Sequence, residues 1–120
     1  MTNWIFSQKE NSQYGDTEGV VYEFHTRLPN ARHVTAGDHF LYYRPKQDAT
    51  DGGGYYFGMG QVERIETEEP IRRALLKKYR RFARLVVESD LPEVPRNNLQ
   101  NSINRITNNN WRLIIEAGSV

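Results

Sequence analysis

The stretch Gly37-Asp38-His39-Phe40-Leu41-Tyr42-Tyr43-Arg44 decides the fold of this 120-residue chain. Its aromatic and aliphatic centre, opened by a Gly-Asp turn and stopped by Pro45, is typical of a buried β-strand. A second stretch of strand composition runs from Tyr55 to Ile65, after a polar loop that ends in three glycines. Two strands that flank such a loop are expected to pair as a hairpin. The glycines inside the second strand, Gly58 and Gly60, indicate a bulge or the close approach of another backbone.

Three shorter segments also have the composition of strands: Trp4 to Phe6, Val20 to Phe24 and Ser102 to Ile106. Residues 27–36 contain Pro29 and Asn30, which favour a turn or a single helical turn. These segments predict a mixed antiparallel sheet or a small barrel.

Two helices are predicted in the second half of the chain. Thr67 can cap a helix that begins with two glutamates and Pro70, and the apolar residues at positions 71, 75, 79 and 82 would share one face. This helix would end near Tyr79, because residues 82–87 contain β-branched types and could form another strand. Thr107 or a following asparagine can cap the last helix, residues 111–117, which a glycine ends. The sum is an α+β domain with two or three short helices.

Length and composition bound the class of protein. The chain is 38% hydrophobic, carries no cysteine and has a net charge of +1, so we expect one domain that covers residues 1–120. The lack of cysteine excludes disulfides, thiolate catalysis and cysteine-ligated zinc. No apolar run approaches the roughly 18 residues that a membrane span requires, and the polar segment 1–10 does not resemble a signal peptide. We therefore expect a cytoplasmic protein without a membrane partner.

The net charge hides a strong segregation along the chain. Residues 1–70 carry 6 basic and 11 acidic residues, residues 71–84 carry seven basic residues and no acid, and residues 85–120 carry three basic and four acidic residues. A basic block of this density can attract phosphate groups even when the whole protein is near neutral. It can equally be a solvated face that the glutamates just upstream offset.

Nothing in the sequence supports catalysis. The three histidines, His25, His33 and His39, lack the spacing of a zinc-binding helix, and a structural role is the simpler interpretation of each. The three glycines at 52–54 are not followed by the lysine and helix of a phosphate-binding loop, and the chain contains no nucleophile elbow. We therefore expect no catalytic residue, no metal ion and no cofactor in this domain.

Tyrosines are the more informative residue type, since six of the seven lie between residues 14 and 56. An aromatic ring can stack on a nucleobase while a neighbouring polar group reads the base edge. Strand tyrosines can equally pack on one face of a sheet with the hydroxyl in water. Because side chains alternate along a strand, Tyr42 and Tyr43 should point to opposite faces, and so should Tyr55 and Tyr56. At most one of Tyr42 and Tyr43 is then expected in a pocket.

Three segments are familiar in combination: Trp4-Ile5-Phe6-Ser7, the strand that begins at Gly37, and Tyr56-Phe57-Gly58-Met59-Gly60-Gln61-Val62. Their order and spacing resemble the EVE-type branch of the PUA-like superfamily, which also includes YTH, ASCH and SRA modules. The closer resemblance is to N-terminal domains of bacterial HNH restriction endonucleases, which carry Tyr-x-Asp, Gly and Tyr-x-Phe after the first strand. Here these are Tyr14-Gly15-Asp16, Gly19 and Tyr22-Glu23-Phe24, followed by a histidine where such domains often have proline.

The resemblance implies a small, strongly bent β-barrel with short flanking helices. It also implies a cavity that holds a modified base flipped out of double-stranded DNA. The first candidates for this base are 5-methyl- and 5-hydroxymethylcytosine. Residues 1–120 would be the non-catalytic specificity module of a modification-dependent restriction endonuclease in phage defence. Any cutting would then belong to a C-terminal HNH domain. A free-standing small protein is equally consistent with the sequence.

The resemblance and the chemistry of base recognition together nominate the site residues. In the loop after the first strand, Tyr14 would stack on the base and Asp16 would accept a hydrogen bond from an exocyclic amine. The candidates for the base pocket are Ser7, Gln8, Asn11, Tyr14, Asp16, Tyr22 and Tyr43. The candidates for phosphate binding are Arg32, Arg44, Arg72, Arg73 and Lys77. Alternatives stay open, because Asp16 can fix its own turn, Tyr22 can be a core residue and Asn11 a plain loop residue.

Other functions remain compatible with the sequence. The same fold could bind RNA or modified RNA. From a different class, the chain could be a small enzyme that acts on a nucleotide, with Asp16 or a histidine as the acid–base group. It could also be a protein-interaction domain that uses its tyrosines as hot spots, and a homodimer is compatible with any of these.

Overall fold

The computed structural model of the chain describes residues 1–8, 16–46, 51–92, 94 and 102–118. Its strands are β1 (Asn3–Ser7), β2 (Val21–His25), β3 (His39–Arg44), β4 (Tyr55–Glu68), β5 (Ile71–Val87) and β6 (Ile103–Ile106). One α-helix, α1 (Asn108–Gly118), and two 3-10 turns, Ala31–His33 and Glu88–Asp90, complete the described elements. Each of the five segments predicted as strands from composition is a strand in the structure.

The six strands form one mixed sheet in the order β2-β5-β4-β3-β1-β6. β1 and β3 are parallel, and every other neighbouring pair is antiparallel. The sheet curls until its two edges approach each other. Across this gap the Tyr22 hydroxyl of β2 donates to the Ser7 carbonyl at 2.8 Å, and the Asn30 side-chain amide donates to the Ile103 carbonyl of β6 at 3.0 Å. This curled half-barrel with a helix against it confirms the predicted α+β class and bent barrel.

Side-chain alternation divides the apolar residues between the two faces of the sheet. On β3, Tyr42 points into the barrel and Tyr43 points outward, as predicted. The inner cluster consists of Trp4, Phe6, Tyr22, Phe24, Ala31, Val34, Phe40, Tyr42, Phe57, Val62, Ala74, Leu76 and Ile103. The outer cluster consists of Ile5, Leu41, Tyr43, Tyr56, Phe82, Val86, Val94 and Ile114.

β3 and β4 pair as the predicted hairpin. The glycines of β4 make room for aromatic side chains, since a Cβ at Gly58 would lie 2.7 Å from the Tyr79 ring and one at Gly60 would lie 2.7 Å from Phe40. The pairing of β4 with β5 also shifts register beside both glycines. Both the bulge and the close approach expected from these glycines are present, although side chains rather than backbone make the closest contacts.

The helix predicted after Thr67 is wrong, because residues 71–87 form β5, the second arm of a long hairpin with β4. The spacings of four residues are even and therefore fit a strand as well as a helix, and the β4–β5 register shifts at three points, where bulges change the face that a residue occupies. Lys78 lies at one of these shifts with φ 54°, an uncommon conformation for a residue other than glycine. Leu76, before that shift, joins the inner cluster, whereas Phe82, beyond it, joins the outer cluster.

The helix α1 is the one predicted near Trp111, and it begins earlier, at Asn108. The Thr107 hydroxyl accepts a hydrogen bond from the Asn110 N–H at 3.2 Å, which confirms the predicted cap. Ile114 is buried in the outer cluster, so α1 covers the outer face of the sheet. No helix among the described residues is long and apolar enough to cross a membrane.

Candidate nucleic-acid interface

One end of the half-barrel gathers the segments that the sequence nominated. β1 and β3 are parallel, so Ser7 and Arg44 mark the same end of the sheet. β4 runs antiparallel to β3, so its first residue, Tyr55, lies there too. We call this the loop end, because the chain leaves β1 and β3 there. The opposite end, where β4 turns into β5 at residues 69–70, is the hairpin end.

Near the loop end, aromatic and basic side chains surround Phe57, and we call this group the Phe57 cluster. It consists of Tyr42, Arg44, Tyr55, Phe57, Tyr79 and Arg81. The Tyr42 ring stacks on Phe57 with centroids 5.1 Å and planes 4° apart. The guanidinium carbons of Arg44 and Arg81 lie 4.8 and 5.5 Å from the Phe57 centroid, within the range of cation–π attraction. Phe57 is fully buried and the Arg81 side chain is 59% exposed, so the cluster presents positive charge to solvent above a buried aromatic ring.

Two carboxylates lie at the rim of the Phe57 cluster. Glu18 accepts a hydrogen bond from the Tyr79 hydroxyl and forms an ion pair with Arg81 at 3.5 Å. Asp51 accepts a hydrogen bond from the Tyr55 hydroxyl at 2.6 Å, and this bond is the main reason why the pKa of Asp51 is lowered. Burial, reinforced by the neighbouring carboxylates, raises the pKa of both tyrosines, so their hydroxyls stay protonated and donate.

Tyr79 reaches the cluster between two glycines. A Cβ at Gly19 would lie 2.4 Å from the Tyr79 ring, and one at Gly58 would lie 2.7 Å from it. Gly19 has φ 76°, where glycine is strongly favoured, and its N–H donates to the Tyr42 hydroxyl at 3.0 Å. The glycine that the resemblance singled out after the first strand therefore seats two tyrosines of the Phe57 cluster.

Two predicted walls of the base pocket, Tyr22 and Tyr43, lie on opposite faces of the sheet. Tyr22 belongs to the inner cluster, where its ring stacks on Phe6 with centroids 4.4 Å apart. Tyr43 belongs to the outer cluster, and its hydroxyl is hydrogen-bonded to Glu88. The structure does not bring the two rings together. Tyr22 is surrounded by core residues, as in the alternative interpretation given above.

Ser7 and Gln8 lie at the loop end, where β1 stops. The Gln8 N–H donates to the Tyr43 carbonyl at 2.9 Å, which extends the β1–β3 pairing, and the Ser7 N–H donates to the Ser102 carbonyl at 2.8 Å. The Gln8 side chain is mostly buried. These two predicted pocket residues are therefore held in place by backbone bonds beside the predicted loop.

Asp16 lies after that loop, where the chain approaches β2. Its carboxylate accepts a hydrogen bond from the Glu23 N–H at 2.6 Å, so it holds β2 at a point seven residues further along the chain. This contact gives Asp16 a structural role between the loop and β2, and its role in the pocket stays a prediction. Asn11 and Tyr14 lie outside the described residues, and their roles in the pocket stay predictions.

A buried carboxylate next to Tyr43 was not among the predicted residues. Glu88 follows β5, is 9% exposed and is hydrogen-bonded to the Tyr43 hydroxyl. Together with Lys46 and the glycines just before Tyr55 it lines a cavity of about 190 Å³. Burial, and secondarily the charge of Glu88, raises the pKa of Tyr56, which lies in the same outer cluster.

Arg72, a predicted phosphate contact, lies at the hairpin end and is used inside the protein. Its guanidinium donates to the Ala31 carbonyl at 2.9 Å and to the Val34 carbonyl at 3.0 Å. These bonds tie the 3-10 turn after β2 to the first residues of β5. Burial is the main reason why the pKa of Arg72 is lowered.

Arg32 and Arg73, two more predicted phosphate contacts, also lie at the hairpin end. Arg73 donates to Glu23 on the neighbouring strand at 2.6 Å, and this bond is the main reason why its pKa is raised. Arg32 forms an exposed ion pair with Glu69 at 3.6 Å. Both arginines thus have a carboxylate partner within the chain.

The remaining predicted phosphate contacts, Arg44 and Lys77, lie elsewhere. Arg44 belongs to the Phe57 cluster at the loop end. Lys77 lies midway along β5, opposite Gln61, with an exposed side chain. The five predicted residues therefore do not form one patch.

The histidines have structural contacts in the fold. The His25 Nδ1 accepts a hydrogen bond from the Arg27 N–H at 3.0 Å, and the His39 ring lies 5.0 Å from the Trp111 ring. In the part of the chain that the structure describes, no three histidine, aspartate or glutamate side chains come together as a group that could hold a metal ion.

Sequence reasoning missed Phe57, Arg81 and Glu18 as members of the site. Strand alternation did carry a partial signal, because it places Phe57 on the same face as Tyr55. Its face relative to Tyr42 depends on the β3–β4 register, which shifts between Tyr42 and Tyr43. No such signal existed for Glu18 and Arg81, since 62 residues lie between them and β5 was predicted to be largely a helix.

Comparison with solved structures identifies the class of fold as PUA-like. The N-terminal domain of McrB from Staphylothermus marinus matches over 97% of this chain and 94% of that one, with TM-score 0.77 and 9% identity. Rpa0253 from Rhodopseudomonas palustris gives TM-score 0.68 at 15% identity over 98% and 93% of the two chains. The ASCH protein from Zymomonas mobilis gives 0.67 at 12% identity over 98% and 97%. No protein-family model and no curated protein matches the chain. These likenesses confirm the predicted fold and, at such identities, concern the fold alone.

Proposed function

We propose that this chain is a non-catalytic DNA-binding module that reads a modified base flipped out of a duplex, with 5-methyl- or 5-hydroxymethylcytosine as the first candidates. The observation that carries the proposal is the Phe57 cluster, in which aromatic rings and two arginines meet near the loop end of a PUA-like half-barrel. Because Phe57 and Tyr42 are fully buried, their rings would support the two arginines, which contact the phosphates of a flipped nucleotide. The ring that stacks on the base stays the predicted Tyr14.

The proposal extends to the assembly in which the module works. Residues 1–120 would supply base specificity to a modification-dependent restriction endonuclease, and a separate C-terminal HNH domain would cut the DNA. The sequence resemblance described above supports this role. The match to an N-terminal domain of McrB over nearly the full length of both chains is compatible with it.

The energetics of base reading fit the composition of the loop end. Extraction of a base from a duplex costs a few kcal/mol of stacking and pairing. Stacking on one aromatic side chain returns roughly 1–3 kcal/mol per base, and Tyr14 remains the predicted stacking residue. Ser7 and Gln8, anchored beside that loop, offer further hydrogen-bonding groups. Arg44 adds attraction for phosphate that falls as salt is raised.

The test is fluorescence anisotropy of the full chain with duplexes that differ only at one central cytosine, which is unmodified, 5-methylated, 5-hydroxymethylated or glucosylated. Titrations at two salt concentrations separate phosphate attraction from base reading. We expect at least about a tenfold preference for one modified form, about 1.4 kcal/mol. Single-stranded RNA of the same sequence serves as the control ligand.

Each other outcome contradicts the proposal in a distinct way. Equal, salt-sensitive binding to all four duplexes would leave only a phosphate-binding surface and direct the search to modified adenine. Preference for the RNA would assign the module to RNA binding. Lack of binding to any nucleic acid at low salt would favour a protein-interaction domain. Nucleotide turnover that is lost in Asp16→Asn, with binding retained, would make the chain an enzyme.

A further inference from the structure

We infer that Arg44 and Arg81 form a phosphate clamp on the Phe57 ring, and that Glu18 occupies one arm of the clamp in the free protein. The ligand class is a phosphodiester of the DNA backbone, beside the base that the proposed function would read. The inference rests on that proposed function for its ligand, but the clamp itself can be tested separately.

The first step is geometric. Two guanidinium carbons lie 4.8 and 5.5 Å from one ring centroid, although Arg44 is on β3 and Arg81 is on β5. Strand β4, which carries Phe57, lies between them in the sheet. The buried ring therefore helps to hold two cations from different strands in place. A pair of surface arginines without such a ring would have no common support.

The second step is electrostatic. Two like charges held near one ring repel each other, and the ring quadrupole attracts each of them only weakly at exposed sites. An anion at this position would be attracted by both charges at once. Phosphodiester oxygens suit arginine especially well, because the guanidinium fork can donate two parallel hydrogen bonds to them.

The third step concerns the present partner of Arg81. The Glu18 carboxylate lies 3.5 Å from the Arg81 guanidinium, and the Arg81 side chain is 59% exposed. An exposed pair of this kind contributes little to stability, because water and salt screen it. Glu18 also accepts the Tyr79 hydrogen bond, so it keeps a partner when a phosphate takes its place on Arg81. Glu18 is thus a competitor that the ligand can displace.

The hairpin end provides a matched control pair. Arg32 and Glu69 form an ion pair at 3.6 Å with side chains 67% and 58% exposed, close to the geometry of Arg81 and Glu18. Substitution there changes the net charge of the protein by the same amount, yet Arg32 is not among the guanidiniums held on the Phe57 ring. Any effect of net charge alone is therefore shared by both pairs, and any effect of the clamp is not.

The experiment measures anisotropy of an unmodified duplex with Arg81→Gln, Arg44→Gln, Glu18→Gln, Arg32→Gln and Glu69→Gln over a range of salt. We expect Arg81→Gln to weaken binding about tenfold at low salt and to reduce the salt slope by about one. Glu18→Gln should strengthen binding about threefold, because the competing carboxylate is removed. Arg32→Gln and Glu69→Gln report the effect of net charge, and each should change binding much less than the clamp variant that alters the charge by the same amount. A gain of affinity in Glu18→Gln cannot arise from misfolding.

Outcomes separate the clamp from the reader. If the wild type prefers a modified duplex but both clamp variants bind like Arg32→Gln, the clamp is wrong and the reader stands. If Glu69→Gln strengthens binding as much as Glu18→Gln, net charge explains the gain and the clamp is wrong.

If no duplex binds, the reader fails, and NMR of the arginine Nε–H groups then tests the clamp with a dinucleotide of two deoxythymidines joined by one phosphodiester. Shifts at Arg44 and Arg81 but not at Arg72 would support the clamp, and unchanged resonances would overturn it.

Discussion

The two parts of β5 use their basic residues differently: two lie between Ile71 and Leu75, and five lie beyond Leu75. At the hairpin end, Arg72 and Arg73 direct their guanidiniums at backbone carbonyls and at a carboxylate of the neighbouring strand. Towards the loop end, Lys77 is exposed and Arg81 lies over an aromatic ring with one exposed ion pair. A basic run in a sequence is therefore not one surface, because the strand that pairs beside it decides which charges find internal partners.

Sheet pairing gives the physical cause of this difference. β2 pairs with β5 only from Ile71 to Leu75, and there it supplies Glu23. Beyond Leu75, the Leu76 N–H still donates to the Val20 carbonyl at 2.8 Å, and the rest of β5 pairs, among the described residues, with β4. Lysine and arginine on such an unpaired edge also discourage edge-to-edge association of sheets. Lys77 and Arg81, whose side chains are exposed, can thus protect an edge and contact a ligand.

The largest effect should come from exchanging one residue of each half for methionine. Arg72→Met leaves two carbonyls of the 3-10 turn without their charged donor, and hydrogen bonds to charged groups contribute about 1.5–3 kcal/mol. We expect its free energy of unfolding to fall by about 2 kcal/mol, measured by urea denaturation. Lys77→Met should stay within about 0.5 kcal/mol of the wild type.

DNA affinity should show the reverse pattern in the same two variants. Folded Arg72→Met should bind an unmodified duplex with the wild-type salt slope, and Lys77→Met should lower the slope if it contacts a phosphate. The contrast between the halves would break if Arg72→Met kept full stability but lost the salt slope.

A smaller effect should come from the pair Arg73 and Glu23, and a double-mutant cycle measures it. The side chains are 31% and 17% exposed with 2.6 Å between donor and acceptor, so the pair lies between a surface and a buried ion pair. We expect a favourable coupling between the two side chains that added salt screens. Arg73→Gln, Glu23→Gln and the double variant complete the cycle in thermal unfolding. A coupling near zero would show that Glu23 does not hold Arg73, which would then resemble the exposed basic residues beyond Leu75.

Local composition was sufficient to predict most of the strands. The His39–Arg44 strand has the bounds expected from its aromatic run and the proline after it. The opposite orientation of Tyr42 and Tyr43 also followed from strand geometry alone. These features depend on residues next to each other in the chain, which a single sequence displays.

β5 and the Phe57 cluster could not be predicted in the same way. The apolar spacings of four residues in β5 fit a strand as well as a helix, and the bulges that alter its faces are specified by the partner strand. Glu18 meets Arg81 only because the β1–β2 connection lies against β5 in the folded sheet. Tyr22 and Tyr43 were predicted together as pocket walls, although their side chains lie on opposite faces of the sheet.

The smallest effect concerns Asp51, the second carboxylate at the rim of the Phe57 cluster. It tests whether Asp51 pairs with an arginine of the cluster, as Glu18 does. The Tyr55 hydroxyl bond is the largest cause of the lowered Asp51 pKa, the Gly53 N–H comes next and the Arg44 charge contributes least. Because the folded pKa lies below the ordinary 3.8, Asp51 stabilises the fold above that pH and loses this contribution as the pH falls through the lowered value. The wild type should therefore melt slightly above Asp51→Asn at pH 7, and the difference should disappear in acid.

Carboxyl NMR titration of Asp51 in Tyr55→Phe checks the cause directly. We expect the Asp51 pKa to move back towards 3.8 in this variant, because its main hydrogen-bond donor is gone. Arg44→Gln should move it less, since the guanidinium is the weakest of the contributions. Asp51 would then be held by Tyr55 and leave Arg44 accessible to a phosphate, whereas a larger shift in Arg44→Gln would make Asp51 the direct counter-ion of that arginine.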